Sequence, residues 1–222
     1  PKKNSVSTDE SKLSNEKLWQ PHNQKEECAW LWLSYLAQIP VLLMGPPGIG
    51  KSYLAKWCEQ FNHFESAESQ QNIHRIYSLA ELSLPPAPQS IYPHPRAHLS
   101  EFLGVQRQGS LRPGYFALAH GGTLVLDEFC EFSRDTREIL RNILDEKQFY
   151  QNTRSGQVLW PAKFFLILTS NPCPCGKSLP NSASDCRCSP SALHAYQARI
   201  SGPLFDRMGV KLFLTKHSTR KN

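Results

Sequence analysis

No apolar run in this sequence is long enough to cross a bilayer, so we expect no transmembrane helix and no membrane partner. The first twenty residues are polar and lack the apolar core of a secretory signal peptide. These two absences predict a cytoplasmic protein, in which cysteines occur as free thiols or metal thiolates rather than as disulfides.

The composition is that of a globular protein with room for one large domain or two small ones. Of the 222 residues, 40% are apolar and 20% are charged, which provides enough apolar material for a core. The formal net charge of +6 is compatible with an anionic partner such as a nucleotide, a nucleic acid or an acidic protein. Most basic residues are scattered. Only residues 211–221 form a basic cluster, which we interpret as a solvated terminus.

A glycine-rich segment follows a short apolar strand predicted at residues 41–44. Residues 45–52, GPPGIGKS, fit the pattern G-x-x-x-x-G-K-[ST] of a phosphate-binding loop. Glycines let successive backbone N–H groups point at an anion, Lys51 supplies a positive charge to the β- and γ-phosphates, and the Ser52 hydroxyl is suited to Mg²⁺. The predicted nucleotide-binding residues are Gly45, Pro46, Pro47, Gly48, Ile49, Gly50, Lys51, Ser52 and Tyr53.

The residues after Lys51 predict an amphipathic helix, as a phosphate-binding loop requires. Their apolar members recur at helical spacing, and the N-terminal end of the helix dipole would point at the same anion. They are Tyr53, Leu54, Trp57, Cys58 and Phe61. The alternative is a glycine-proline turn with an incidental lysine. The strand before the loop and the helix after it argue against that alternative.

Two carboxylates follow an apolar strand predicted at residues 123–126. At the carboxyl edge of a parallel sheet, Asp127 would hold Mg²⁺ directly or through water, and Glu128 would act as general base on the attacking water. The alternative is a pair of acids that opens a surface loop. Asn171 follows a strand predicted at residues 164–168, where its amide could orient water beside the γ-phosphate. An asparagine at a strand end is otherwise a turn former.

Strands and helices alternate along the chain, which predicts an α/β fold with right-handed crossovers and a parallel sheet between two layers of helices. A largely buried helix is predicted at residues 26–38 and a strand at residues 73–77. Six prolines argue for an irregular loop over residues 82–113. The other predicted elements are helices at 115–120 and 191–199, a helix capped by Ser133, a hairpin at 149–160 and a strand at 210–214.

Four cysteines form two C-x-C pairs in a segment, residues 172–190, that is rich in proline. Two such pairs could close a tetrahedral Zn²⁺ site, and metal binding contributes on the order of 10 kcal/mol to the folding of a small knuckle. The C-x-C spacing is tighter than the usual C-x₂-C, so free or redox-active thiols are the alternative. The candidate zinc ligands are Cys173, Cys175, Cys186 and Cys188, whereas Cys28, Cys58 and Cys130 are predicted as buried thiols.

With the segments GPPGIGKS, LVLDE, LTSN and RISGPLFDR in this order, the sequence resembles an AAA+ ATPase. The resemblance implies a P-loop NTPase fold, a three-layer sandwich with a central parallel sheet, here with hairpin and cysteine-rich insertions. Over about residues 24–214 the sequence is similar, more narrowly, to the magnesium-chelatase-like branch, which includes the chelatase I subunit and the ComM-type proteins. The cysteine-bearing segments are similar to ComM-like proteins in particular. The segments that carry the narrower resemblance are residues 112–114, 118–122, 171–176, 186–190 and 199–203.

The resemblance implies a role for each matching residue at the nucleotide. Lys51 and Ser52 match the Walker A residues of the family. Asp127 and Glu128 match its Walker B pair, and Asn171 matches its first sensor.

Arg207, in the segment LFDR, matches the arginine finger that reaches the nucleotide of the neighbouring subunit. Such a finger can be worth about 10³–10⁵ in rate, which would make hydrolysis depend on assembly. The alternative, which the sequence alone favours, is a surface arginine paired with Asp206. The resemblance also matches the loop at 82–113 and the hairpin at 149–160 with inserts that face the central pore of the ring.

The resemblance also predicts the division of the chain. We expect a flexible segment at residues 1–20, an ATPase core at 21–215 and a basic tail at 216–222. ComM-like proteins carry a Lon-protease-like domain before the core, and AAA+ proteins carry a helical lid after the finger; this sequence matches neither. We therefore expect a fragment or a degenerate copy, whose ATP hydrolysis the missing lid would impair.

The function implied by the resemblance is that of an ATPase that binds Mg·ATP and assembles into a homo-oligomeric ring, expected to be a hexamer. By similarity to ComM-like proteins its partner would be DNA, with branch migration or remodelling in recombination and competence. Two alternatives stay open: the motor subunit of a magnesium chelatase that acts on a porphyrin, and an ATP-binding module that assembles without turnover. The cysteine insertion argues against the chelatase.

Overall fold

The computed structural model describes residues 24–62, 66–107, 110–154, 156–178 and 186–215. The expected flexible segment at 1–20 and the expected basic tail at 216–222 lie outside these residues. So do residues 179–185 of the cysteine-rich segment.

Eight α-helices and nine strands make up the described residues, together with 3₁₀ turns at Cys58–Phe61 and Phe129–Glu131. The helices are α1 (Lys25–Leu36), α2 (Lys51–Trp57), α3 (Ala67–Leu79), α4 (Leu99–Leu103), α5 (Tyr115–Leu118), α6 (Arg134–Glu146), α7 (Pro190–Gln197) and α8 (Gly202–Arg207). The strands are β1 (Val41–Met44), β2 (Ser90–Ile91), β3 (Gly104–Arg107), β4 (Ser110–Pro113), β5 (Thr123–Leu126), β6 (Gln148–Thr153), β7 (Gly156–Pro161), β8 (Phe165–Ser170) and β9 (Val210–Phe213).

Five strands form a central parallel sheet in the order β2-β5-β8-β1-β9. Every residue of β5 and β8 is buried, as expected for parallel strands that are covered on both faces. The register pairs Leu126 with Leu168 and Met44 with Ser170. The carboxyl ends of β1, β8 and β5 therefore meet at one edge of the sheet, which is where the candidate site lies.

Helices cover both faces of the sheet, which gives the three layers that were predicted. On one face, α1, α2 and the 3₁₀ turn after α2 pack on the sheet. Their buried contributors are Cys28, Leu31, Tyr35, Leu54, Ala55, Trp57, Cys58 and Phe61. On the other face, α3 to α6 and α8 enclose a larger core. The α/β fold with a parallel sheet, the hairpin of β6 and β7, and the cap of α6 by Ser133 are thus confirmed.

The strand predicted at residues 73–77 is wrong, because these residues lie within α3. Ile73, Ile76 and Tyr77 are buried at a spacing of three and four residues, so that one helix face packs on the core. The helix begins after Ser66, whose hydroxyl accepts a hydrogen bond from the N–H of Ser69 at 3.1 Å. The sequence already carried this signal, because an alternating strand would have placed Arg75 on the buried face.

The segment at 82–113 is more regular than its prolines predicted. Besides an irregular stretch, it contains the edge strand β2, which pairs with β5 in parallel, the helix α4, and the antiparallel hairpin of β3 and β4. Prolines are compatible with a two-residue edge strand and with a strand end such as Pro113.

The helix at the start of the described chain is less buried than predicted. Only one face of α1 packs on the sheet, while Trp30, Leu33 and Leu36 are 53%, 55% and 56% exposed. The dense apolar composition of α1 therefore overstated its burial. Among the described residues, no helix combines the length and the apolar character that crossing a membrane requires.

Candidate functional site

The glycine-rich segment at residues 45–52 connects β1 to α2, as predicted. Gly48 and Gly50 have φ angles of +74° and +100°, in the left-handed region that side chains other than glycine rarely adopt. A Cβ atom on Gly45 would lie 2.8 Å from the carbonyl oxygen of Leu214, so this position also requires glycine. Glycine at these three positions therefore allows the backbone to wind tightly. A tightly wound backbone can point successive N–H groups at one anion.

Lys51 is a buried cation at the first position of α2. Its Nζ donates hydrogen bonds to the carbonyl oxygens of Gly45 at 2.8 Å and Pro46 at 3.0 Å, and to Oδ1 of Asn171 at 2.9 Å. Burial lowers the pKa of the Lys51 ammonium, and the nearby carboxylates of Asp127 and Glu128 oppose that shift. The contact to Asn171 joins two residues that are 120 positions apart in the sequence.

Ser52 and Asp127 meet at the same edge of the sheet. The Ser52 hydroxyl donates to Oδ2 of Asp127 at 2.8 Å, and the Thr169 hydroxyl donates to Oδ1 of the same carboxylate. Neighbouring oxygens in an octahedral Mg²⁺ shell, with Mg–O of about 2.0–2.1 Å, lie about 2.9 Å apart. The separation of the two side-chain oxygens therefore fits a pair of adjacent Mg²⁺ ligands, and hard oxygen ligands suit this ion.

Glu128 lies beside this pair in an unusual backbone conformation. Its φ is +54°, in the left-handed region, and its N–H donates to the Thr169 hydroxyl at 3.0 Å. Left-handed residues other than glycine carry a strain energy of about 1–3 kcal/mol and concentrate at functional sites. The Glu128 side chain is exposed, so it lies where a solvent molecule can reach it.

Thr169 and Gln24 contact this site and were not predicted as part of it. Because β8 lies between β1 and β5, Thr169 near its carboxyl end is placed to hydrogen-bond both Asp127 and the backbone of Glu128. The position of Thr169 in the LTSN segment, at the end of a strand, was the signal that could have predicted this role. Gln24 donates from Nε2 to the carbonyl oxygen of Ile49 at 3.1 Å, and no local pattern marks that contact.

Arg207 ends α8 and forms an ion pair with Asp145 on α6. Its Nε and Nη2 donate to the two carboxylate oxygens at 2.7 and 2.5 Å, and its Nη1 donates to the carbonyl oxygen of Pro203 at 2.7 Å. The hydrogen bond from Arg207 lowers the pKa of the Asp145 carboxyl. The alternative that paired Arg207 with the adjacent Asp206 is therefore wrong about the partner. The partner is Asp145, which lies 62 positions earlier in the sequence.

The four cysteines of the two C-x-C pairs converge. Their sulfur atoms all lie within 4.8 Å of one another, with Sγ–Sγ distances of 3.4 Å from Cys173 to Cys175 and 3.7 Å from Cys186 to each of these. Four thiolates at the usual Zn–S distance of about 2.3 Å form a tetrahedron with edges of about 3.8 Å. The three separations among Cys173, Cys175 and Cys186 are near this value, and Cys188 lies close enough to complete a four-sulfur shell.

The surroundings of the cluster favour a thiolate at one of its four positions. The N–H of Ser178 donates to Cys173 Sγ at 3.3 Å, and the backbone N–H of Lys177 lowers the pKa of the Cys175 thiol to about 6. At Cys186 and Cys188 a backbone hydrogen bond also lowers the thiol pKa, but desolvation and the neighbouring thiols outweigh it and raise the pKa. The other three cysteines, Cys28, Cys58 and Cys130, are buried as predicted. Burial raises the pKa of each of these thiols, so they remain protonated and apolar in character.

Comparison with known proteins gives a family and several relatives. The family model described as magnesium chelatase, subunit ChlI, matches residues 22–222. The chain is 34% identical over 183 residues to the protein YifB of Escherichia coli and 33% identical over 177 residues to the protein Rv2897c of Mycobacterium tuberculosis. It is 29% identical over 189 residues to the competence protein ComM of Haemophilus influenzae.

These alignments cover most of this chain but a minor part of each relative. They include 78% of the chain for YifB and Rv2897c and 82% for ComM. They include 34%, 34% and 36% of the respective relatives, so the chain spans about a third of the length of the curated relatives it matches.

Proposed function

The chain belongs to the magnesium chelatase ChlI family, whose members have an AAA+-type ATPase core that uses ATP and Mg²⁺. From this premise we propose that the chain is the ATP-hydrolysing part of a ring-forming motor that acts on DNA. One observation carries the ATP-hydrolysing part of this proposal. At one edge of the sheet, the adjacent residues Lys51 and Ser52 at the start of α2 hydrogen-bond Asn171 after β8 and Asp127 after β5, at 2.9 and 2.8 Å respectively.

The residues at this edge of the sheet would each bind a different part of Mg·ATP. Phosphate oxygens would replace the carbonyl oxygens of Gly45 and Pro46 as acceptors of the Lys51 ammonium, and the backbone N–H groups of the loop would contact the same anion. Ser52 and Asp127 would hold Mg²⁺, which neutralises phosphate charge when bound. Thr169 would keep the Asp127 carboxylate oriented, since its hydroxyl already donates to it.

Glu128 and Asn171 would act on the attacking water. The exposed Glu128 carboxylate would accept its proton, while the anchored backbone of that residue fixes where the side chain starts. The Asn171 amide, held by Lys51, would orient the water beside the γ-phosphate. Arg207 would reach the nucleotide of the neighbouring subunit in a hexameric ring, after exchanging Asp145 for phosphate oxygens.

The DNA partner rests on the resemblance to ComM-type proteins and on the net charge of +6. We expect the assembled chain to bind a forked DNA, with an affinity that falls steeply between about 50 and 200 mM salt because phosphate contacts release counterions. Fluorescence anisotropy at several salt concentrations measures this, and ATP turnover with and without the fork tests the motor. A linear duplex of equal length is the control. No binding at low salt, or turnover indifferent to DNA, would contradict the DNA partner.

A magnesium chelatase motor is the second candidate, and the description of the matching family model favours it. It differs from the first in what stimulates turnover. Activation of ATP hydrolysis by a porphyrin-binding chelatase partner, and not by DNA, would select it. ATP binding without any turnover would instead select a module that only assembles.

The cysteine cluster would be a structural zinc site. All four ligand positions are filled by sulfur, and a structural zinc site is closed in this way whereas a catalytic one keeps a position open. The described part of this segment has no helix or strand between Asn171 and Ser178, so a metal would supply the cross-link that an apolar core supplies elsewhere.

Zinc removal therefore has a defined expected result. The purified chain should release about one zinc per chain on treatment with a thiol reagent, because one tetrahedral shell uses all four thiolates. A colorimetric zinc chelator in the same cuvette measures the amount released. The variant Cys188→Ser should bind zinc far more weakly. The matched variant Cys130→Ser, which removes a thiol outside the cluster and can keep the contact to Ser170, should retain it. Zinc release that is unaffected by Cys188→Ser would overturn the assignment.

A further inference from the structure

The cysteine cluster lies against the phosphate-binding loop. A Cβ atom on Gly176 would be 2.5 Å from Cδ and 3.1 Å from Cγ of the Pro47 ring, so the segment packs on the loop at a point where only hydrogen fits. Gly176 also has a φ of +75°, and its N–H closes a turn by donating to the carbonyl oxygen of Cys173 at 2.9 Å. Gly176 therefore shapes both the turn that carries two of the cysteines and the contact to Pro47.

The same segment contacts the loop a second time through Asn171. This residue stands two positions before Cys173, and its Oδ1 accepts from Lys51 Nζ at 2.9 Å. Pro47 and Lys51 belong to one phosphate-binding loop and helix start. The short irregular stretch from Asn171 to Ser178 thus contacts that loop and helix start at two points, Asn171 and Gly176.

The cysteine cluster joins this stretch to the residues before α7. Cys173 is fully buried, and its sulfur lies 3.7 Å from that of Cys186, which precedes α7. Without a metal, the described contacts among the four sulfurs are weak thiol hydrogen bonds. A metal held by the four sulfurs would link Cys173 and Cys175 to Cys186 and Cys188 by coordinate bonds, and through them it would restrain Gly176 and Asn171.

We propose that the four-cysteine unit is a metal-dependent clamp on the nucleotide site, and that Gly176 is the positioning residue that transmits its state to the loop through Pro47. The proposal rests on the zinc site and the ATP site assigned under the proposed function. The metal fixes the segment, the segment holds the loop in its anion-binding shape, and metal binding and ATP binding favour each other.

The first test is thermodynamic linkage. The dissociation constant of a fluorescent ATP analogue with Mg²⁺ is measured by titration of the zinc-loaded chain and of the chain stripped of zinc under reducing conditions. We expect stripping to weaken ATP binding by about 5- to 150-fold, the usual range for coupled sites. Because linkage is reciprocal, the affinity for Zn²⁺, measured against a competing chelator, should rise by the same factor when ATP is present.

The second test is a double-mutant cycle at the contact. Gly176→Ala places a methyl group against Cδ of Pro47, and Pro47→Ala removes that Cδ and Cγ. The backbone strain of alanine at a positive φ is the same in both backgrounds and cancels in the cycle. We expect Gly176→Ala to weaken ATP binding several-fold more in the Pro47 chain than in the Pro47→Ala chain. Gly202→Ala, where a Cβ meets nothing within 4 Å, is the matched control.

The outcomes separate this inference from its premises. A chain that binds no zinc, or no ATP in either state, contradicts the proposed function. A chain that binds both with equal ATP affinity in the loaded and stripped states, and with additive effects of the two substitutions, overturns the clamp alone. A third outcome is equal ATP affinity in the zinc-loaded and stripped states together with non-additive effects of the two substitutions. It would mean that Gly176 and Pro47 are in contact but that the metal does not control ATP binding, so it also rejects the clamp.

Discussion

Arg207→Ala is expected to lower the rate of ATP hydrolysis by the assembled protein about 10³–10⁵-fold, with the affinity for ATP little changed. An arginine supplied by a neighbour stabilises the charge of the transition state, which the ground-state complex does not carry to the same extent. Steady-state phosphate release, measured beside equilibrium binding of a fluorescent ATP analogue, separates the two quantities.

The ion pair to Asp145 provides the matched control. In the single chain, Arg207 is held by both carboxylate oxygens of Asp145, which orients its guanidinium between α8 and α6. Asp145→Asn removes the attraction and leaves the guanidinium available to a neighbour. It should therefore keep turnover within a few-fold of the parent chain. If Arg207→Ala and Asp145→Asn lowered the rate of ATP hydrolysis equally, the role of Arg207 would be only structural, as the ion pair that connects α8 to α6.

Mixed rings test whether Arg207 acts in trans. Chains with Arg207→Ala and chains with Lys51→Ala should each be inactive alone, for lack of the finger and of the loop cation respectively. In a head-to-tail ring assembled from equal amounts, about a quarter of the sites combine an intact loop with an intact finger. Turnover should reappear on mixing. A mixture as inactive as its components would show that Arg207 does not serve a neighbouring site.

The sequence predicted the loop and both carboxylates of the site because each depends on local chemistry. The spacing from Gly45 to Ser52 is dictated by backbone winding around an anion, and an apolar strand that ends in two acids identifies Asp127 and Glu128. A parallel sheet then brings these strand ends to one edge, whatever the details of the connections. The candidate site is therefore readable from short segments once the sheet is inferred.

The parts that were missed depend on contacts between distant residues. Asp145 as the partner of Arg207, and Gly176 against Pro47, join residues that no local pattern connects. The strand predicted at 73–77 failed for a different reason. In the short window IHRIY, the apolar residues recur at the spacing of a helix face, and an alternating strand would place Arg75 on the buried side. The helical spacing and the Ser66 cap before the window were the signals that the strand prediction missed.

Glu128→Gln is the second large effect, with an expected fall in ATP turnover of about 10²–10⁴-fold and no loss of Mg·ATP affinity. Glutamine keeps the size of the side chain and the N–H bond to Thr169, but it cannot accept the proton of the attacking water. Single-turnover hydrolysis measured by rapid quench isolates the chemical step from product release.

Because the variant binds ATP without consuming it, any assembly that ATP favours should accumulate rather than decay. Size-exclusion chromatography with ATP should show a larger species that persists longer for Glu128→Gln than for the parent chain. Glu131→Gln is the matched control, since Glu131 is an exposed carboxylate three residues away that pairs with Arg199. If both glutamine variants hydrolyse ATP at the parent rate, the general base lies elsewhere. If only Glu128→Gln loses ATP hydrolysis and it also loses ATP binding, Glu128 acts as a ligand of the metal rather than as the base for the attacking water.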